Sequence, residues 1–197
     1  MLSTKERKKT SIIENSLKLF SQKGFYNTTI PDIAKAMKMS VGNMYNYFAS
    51  KEELAKCAIK YSTNILALEL REVNNLEISS KEKVFEFTRR YFTKVKENPE
   101  IIEYFLRVYL SNREVFSQGC EGFLCVGEFV TEVMILLEEG ASKKEFRDQD
   151  FFAAFGMFMG SLGGFAFLSG EKVLEKDLMQ YSDLIAENIY RALKYEE

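Results

Sequence analysis

The sequence predicts an all-α protein. Three observations carry that reading. Apolar residues recur at spacings of three and four along most of the 197-residue chain, alternating strand-like runs are scarce, and the two prolines, Pro31 and Pro99, stand where helices begin. Ile13, Leu17 and Phe20 give a first amphipathic helix over about residues 5–22, stopped by Gly24. Thr29 and Asp32 form a capping-box pair opening a second, short helix, and Pro31 sits in its first turn, where a missing N–H costs nothing. The apolar side of that helix is Ile30, Ile33, Ala34 and Met37. Ser40 caps a third short helix, and Ser50 with Glu53 caps a long fourth one. Leu54, Cys57, Tyr61, Ile65 and Leu68 keep one face of the fourth helix apolar to about Val73. Further helices are predicted over about 80–96, 100–110, 122–139, 149–169 and 174–194, making about nine in all.

Composition narrows the function. A hydrophobic content of 46% with 28% charged residues describes a globular chain. There is no histidine, so the commonest general base and the commonest transition-metal ligand are both missing. There is also no glycine-rich phosphate loop, no cluster of metal-ligating residues and no nucleophile with a partner in sequence reach. A helical enzyme, the competing class, therefore has no support, and no cofactor or metal is expected. Cys57, Cys120 and Cys125 are odd in number and without a CxxC pair. That argues against a disulfide framework and suits a reducing compartment, with Cys120 and Cys125 read as inert buried thiols rather than a redox sensor. Charges throughout the first twenty residues leave no room for a secretory leader, so the expected location is the cytoplasm.

The net charge of −2 hides an asymmetry. Residues 1–51 carry nine basic and three acidic side chains, whereas the remainder carries 18 and 26. A basic head on an acidic body is expected when one end meets a polyanion and the other must not. Two short helices joined by a tight turn on that basic head make a helix-turn-helix, whose second helix lays its leading end in the major groove. Ser40 then offers a hydroxyl and nearby amides to a phosphate, and Gly42 lets the backbone come close to the duplex. Val41 is placed to meet a thymine methyl and Asn43 to bond an adenine edge. Met44 and Phe48, spaced i, i+4, turn inward. Tyr45 and Tyr47 reach for phosphates from the groove walls, and Lys51 is a further phosphate ligand.

The stretch "TTIPDIAKAMKMSVGNMYNYFASKEEL" resembles the DNA-binding domain of the tetracycline-repressor (TetR) family. Thr28, Thr29, Asp32, Ile33, Ala34, Ser40, Gly42, Tyr45, Tyr47, Phe48, Ser50, Lys51, Glu52 and Leu54 match its pattern in register, over about residues 8–56. Lys38 replaces the turn glycine of that pattern, where it adds a possible phosphate contact, and Met39 replaces the usual valine. The resemblance implies a DNA-binding domain over residues 1–51 and a ligand-binding and dimerisation domain over 52–197. Thr28, Thr29 and Asn46 complete the expected DNA-facing set, and the resemblance implies a homodimeric regulator, usually a repressor, on an inverted-repeat operator in double-stranded DNA. The fourth helix is then the natural lever between the two domains.

For the body, residues 151–170 run twenty positions without a charge. That length also fits a membrane span and so a membrane-associated adaptor. The five glycines and the charged flanks favour a buried dimer helix instead, with no membrane partner. Phe155, Gly156, Met159, Gly160, Gly163 and, on the last helix, Tyr181, Ile185 and Ile189 are the expected interface. A small-molecule effector, apolar or aromatic, is expected against Phe92, Tyr104, Phe105, Arg107, Tyr109, Phe116 and Phe123, with Arg89, Arg90 or Arg107 available to an anionic group.

Overall fold

Side-chain caps set most of the helix boundaries. The structure, a computed structural model, describes residues 3–109, 111, 113–116 and 125–195. Ser3 and Glu6 form a capping box that opens helix α1 (Thr4–Lys23), and Gly24, at φ 80°, closes it by donating its N–H to the Phe20 carbonyl. Thr29 and Asp32 form the expected box at the head of α2 (Ile30–Ala36). Ser40 accepts the Asn43 N–H to start α3 (Val41–Tyr45). At α4 (Lys51–Asn74) the Ser50 hydroxyl accepts the Glu53 N–H, and the Glu53 carboxylate reaches back to the Ala49 N–H. Ser79 and Glu82 box the start of α5 (Ser80–Glu97).

Beyond α5 the expectation of one helix over 100–110 is corrected. A short α6 (Pro99–Glu103) passes into a π-helical turn, Tyr104–Tyr109, and α7 (Arg113–Phe116) follows. A π-turn shifts the hydrogen-bond register by one residue, which apolar spacing does not reveal. Then come α8 (Gly127–Ser142) and α9 (Phe151–Gly170), the latter capped by Asp150. The last helix, α10, spans Ser182–Leu193 and does not begin near 174. Lys172 takes a left-handed conformation and Asp177 caps a separate 3-10 turn, Leu178–Tyr181, ahead of it. Among the described residues there is no strand, only an isolated bridge between Phe146 and Lys194.

The helices gather into two units. Residues 1–63 group with 100–126, and residues 64–99 group with 127–197. Both are discontinuous, so the sequence boundary at 51/52 falls inside the first of them, at the head of α4. The first unit is cored by Ile12, Leu17, Phe20, Ile33, Met44, Phe48, Leu54, Ala58 and Ile59. Within it the π-turn packs on α1, where the Tyr104 ring lies 5.7 Å from that of Phe20 and its hydroxyl donates to the Ala55 carbonyl at 2.9 Å. Burial of large apolar side chains at about 1.5–3 kcal/mol each is what holds these short helices, since five- and seven-residue helices do not persist alone.

In the second unit α5 packs chiefly on α10, with α8 and α9 beside it. The rings of Phe87 and Phe158 stack at 5.9 Å, and Phe129 joins them. Lys83, only 2% exposed, is fully satisfied: its ammonium donates to the Asn74 carbonyl at 2.7 Å and to both oxygens of Glu139 at 2.9 and 2.8 Å. Burial pushes the Glu139 carboxyl up, but the bonds from Lys143 and Lys83 prevail and leave its pKa lowered.

Candidate nucleic-acid interface

The geometry of α3 follows from which side chains it loses to the core. Met44 and Phe48 are buried, at 1% and 2% exposure, so the opposite side of a one-turn helix has to face out. The Lys9 ammonium sits 5.0 Å above the Phe48 ring and holds it from the other side. Helix α1 contacts α2 and α2 contacts α3, which seats α3 on the second helix.

Val41, Gly42, Asn43, Tyr45 and Asn46 are exposed together, as the sequence predicts for a reading face, and Tyr47 is half-buried beside them. Tyr45 is 53% exposed, a large ring standing half out of the surface. The Asn46 side-chain amide donates to the Asn43 Oδ1 at 3.3 Å. The Asn43 amide hydrogens and its second carbonyl lone pair stay free for a base edge. Ser40 uses one lone pair as the cap, which leaves its O–H to donate. A Cβ built on Gly42 meets nothing within 4 Å, so this glycine is not required by the fold.

Three members of the predicted DNA-facing set have their polar ends engaged within the chain. Thr28 is fully buried, and its hydroxyl bonds the Gly24 carbonyl at 2.8 Å and the Leu19 carbonyl at 3.3 Å, closing the end of α1. Thr29 is exposed, but its hydroxyl is committed to Asp32 at 2.6 Å. That hydroxyl bond, with the backbone N–H bond beside it, holds the Asp32 carboxyl below its ordinary value. The Lys51 ammonium donates to the Phe25 and Thr28 carbonyls, both at 3.0 Å, and lies 4.2 Å over the Phe25 ring. A threonine or lysine looks the same in sequence whether its polar end meets a carbonyl or a phosphate. Lys38 is exposed, in the α2–α3 turn, with φ 53°. Tyr26, 62% exposed, makes a contact that no sequence pattern signals: its hydroxyl donates to Glu114, which raises the tyrosine pKa and lowers that of the carboxylate.

On α9, Ala154, Phe158, Leu162 and Ala166 are buried at a spacing of four, and the opposite face is open. Gly156 and Gly160 stand on that face, Phe155, Met159 and Gly163 border it half-buried, and Phe152 and Phe167 project from it at 64% and 50% exposure. A Cβ on Gly156, Gly160 or Gly164 would meet nothing. Ile185 and Ile189, predicted at the interface, are buried in the chain's own core, because the apolar face of α10 is the one that meets α5. Tyr181 is half-buried with its ring 5.5 Å from that of Phe165. What α10 leaves outside is Asp183, Leu184 at 56% exposure, Asn188 and Arg191.

The predicted effector contacts divide. Phe92, Tyr104 and Phe116 are buried core, and Phe105 is half-buried in the π-turn. Phe123, Cys120 and the side chains of Arg107 and Tyr109 lie outside the described residues. Arg90 bonds Glu86, Glu72 and Glu69, whereas Arg89, with its side chain 53% exposed, bonds Glu86 through one nitrogen. A cavity of about 240 Å³ is lined by Met134, Leu137, Phe146, Phe151 and Ala154 among others, and no predicted effector residue borders it. Cys57 is a half-buried free thiol, its pKa raised by burial. Cys125 is disulfide-bonded, which corrects the reading of separate thiols. Bridging depends on Cα separation, and chain spacing does not fix that distance.

Comparison with known proteins points the same way as this geometry. Residues 12–57 match the family described as bacterial regulatory proteins, tetR family. The chain is 49% identical over 57 residues to the helix-turn-helix regulator YuxN of Bacillus subtilis, covering 29% of this chain and 19% of that one. It is 35% identical over 83 residues to IcaR of Staphylococcus aureus, the negative transcriptional regulator of the biofilm operon icaADBC. That second match spans 40% of this chain and 45% of IcaR, so it covers less than half of that relative's length. Among solved structures, the regulator FadR of Bacillus subtilis in complex with stearoyl-CoA superposes with a TM-score of 0.79 at 18% identity, over 93% of this chain and 98% of that one. At that identity the likeness is one of fold.

Proposed function

We infer, from a chain that belongs to the tetR family of bacterial regulatory proteins, a homodimeric transcriptional repressor that releases an operator when a small molecule binds. The observation that carries this reading is the outward leading face of α3, with Val41, Gly42, Asn43, Tyr45 and Asn46 free on a basic module while Met44 and Phe48 anchor it. Residues 1–51 form the DNA-binding domain and residues 52–197 the ligand-binding and dimerisation domain. A twofold dimer puts two α3 helices into successive major grooves, so the operator is an approximate inverted repeat. Gly42 lets the backbone near the duplex, Asn43 reads a base edge, and Tyr45 and Ser40 hold phosphates. Such a protein works in the cytoplasm, beside its DNA.

The open face of α9, with Leu184 of α10, is the surface a second copy covers. By length and composition α9 would also cross a membrane, with a mean hydropathy of 1.7. One face is nonetheless already buried on the chain's own helices, and its glycines suit close helix approach. The effector is apolar or aromatic, and the solved complex of FadR with stearoyl-CoA supports an apolar one. A gel-shift titration on the DNA upstream of the chain's own gene tests the reading. Asn43→Ala is expected to relax base preference and lose about 1–3 kcal/mol on the preferred site. Unchanged affinity and unchanged preference in that variant would overturn the placement of α3.

A further inference from the structure

The cavity of about 240 Å³ lies within the second unit, between the end of α8, the loop 143–150 and the start of α9. Its floor is apolar, since Leu137, Phe146 and Ala154 line it and are all buried. The fold braces that floor from two sides. Against α8, the Phe146 ring fills the space beside Gly140, where a Cβ would stand 2.1 Å from it. At the end of α10, the Leu193 carbonyl accepts the Arg147 N–H at 2.9 Å, and the Tyr195 N–H donates to the Glu145 carbonyl at 3.1 Å. A hollow held in this way is pre-organised, which lowers the ordering cost of filling it.

The polar part of the lining is unusual in its partners. Residues 127–150 hold seven acids, and five of them are engaged. Glu128 and Glu132 take Arg71, Glu139 takes Lys83 and Lys143, Glu145 accepts the Ser80 N–H, and Asp150 accepts the Ala153 N–H. The other two, Glu138 and Asp148, hold no hydrogen bond or ion pair among the described residues, and both line the cavity. Arg147, the one basic residue of the lining, already gives its Nε–H to Gln149 at 3.2 Å. Two free carboxylates against one guanidinium favour a cation. An apolar cavity of about 150 Å³ takes a benzene, so this one has room for a ring with a short side chain.

We propose that this cavity binds a small lipophilic cation, an amine on an apolar or aromatic body. The body rests on Leu137, Phe146 and Ala154, and the ammonium meets the carboxylates of Glu138 and Asp148. The binding stands on this geometry alone. That the bound amine governs DNA affinity rests on the repressor reading above, and it seats the effector away from the predicted aromatic set.

The test titrates phenethylamine, phenethyl alcohol and hydrocinnamate into the full chain, three probes alike in body and different in charge. Calorimetry gives the affinities, and NMR shifts of the Leu137, Phe146 and Ala154 amides give the place. The amine should bind about tenfold tighter than the alcohol, with hydrocinnamate weakest. Glu138→Gln and Asp148→Asn change exposed side chains, and each should weaken the amine about fivefold with the alcohol unmoved. Equal affinity for the three probes, or unchanged amine affinity in both variants, overturns the proposal. Shifts confined to other residues overturn the placement. Gel shifts on the upstream duplex, with and without saturating phenethylamine, then test the consequence. Release of the duplex by the amine supports the effector role, and a duplex held equally tightly with the amine bound overturns it. A chain that binds no duplex even without the amine sinks the repressor reading and leaves the amine site standing.

Discussion

The outer faces of α3 and α9 expose the same unusual pair of features, large aromatic rings and glycines whose missing Cβ the fold does not need. On α3 these are Tyr45, at 53% exposure, and Gly42; on α9 they are Phe152 and Phe167, at 64% and 50%, and Gly156, Gly160 and Gly164. They differ in what accompanies the rings. With the phenol hydroxyl of Tyr45 stand the exposed Asn43 and Asn46, and the exposed Lys38 precedes them in the α2–α3 turn, groups suited to a wet and charged partner. The helix that carries Phe152 and Phe167 has no charged residue along its length, which suits a dry, closely fitted one. A glycine with empty space above it reports how closely something outside the chain comes, and the chemistry beside it reports what that something is.

The largest expected effect breaks the α9 side. Gly160→Glu sets a charge on the proposed dimer face, and leaving it buried and unpaired there costs about 2–5 kcal/mol. Dimer dissociation, followed by sedimentation, should rise by more than about 30-fold. The folding of the separate chain should scarcely change, because the new side chain meets open space. An unmoved dimer constant would mean that this face is covered by something else or by nothing.

Gly140→Ala is the counter-example within the molecule. Its Cβ would stand 2.1 Å from the ring of Phe146, itself buried at 2% exposure, so this glycine is needed by the fold. The expected loss is about 1–3 kcal/mol in chemical denaturation, the usual size of an overpacking penalty. DNA affinity per folded dimer should not move.

Gly42→Ala sharpens the α3 side. Alanine within a helix is favoured over glycine by about 0.5–1 kcal/mol, so the free protein should become slightly more stable. Affinity for the duplex should fall about tenfold, the equivalent of roughly 1.4 kcal/mol, in the gel-shift titration. A variant gaining stability while keeping its affinity would show that the α3 backbone does not approach the DNA.

The smallest effect is electrostatic. The folded pKa of Asp32 is lowered by its bonds to Thr29, so its contribution is present above the ordinary value of 3.8 and is lost as pH falls through the folded one. Circular dichroism should show helix loss on acidification in that range, and Asp32→Asn should lose the part of the transition that belongs to α2.

The contrast also marks what was legible from sequence. The α3 register was readable because caps are local: Thr29 with Asp32, Ser40, and Ser50 with Glu53 each announce a helix start within three residues. Met44 and Phe48 then follow by spacing alone. Residues whose role depends on a distant partner were not readable. Thr28 and Lys51 carry the right groups for phosphate, but carbonyls of the α1–α2 region take them. Ile185 and Ile189 mark an apolar face correctly, yet periodicity does not say whether that face meets α5 of the same chain or another copy. Leu174, Leu178 and Tyr181 keep helical spacing across non-helical residues and a 3-10 turn capped by Asp177, so the break before α10 left no trace in the pattern.

Hydroxyl-radical footprinting on the DNA upstream of the gene tests the central claim most directly. The account predicts two protected patches on the same face of the duplex, related by a twofold axis and centred about one helical turn, or a multiple of it, apart. Both patches should disappear together in Gly160→Glu. A single patch, or two patches that survive when the dimer is broken, would contradict it.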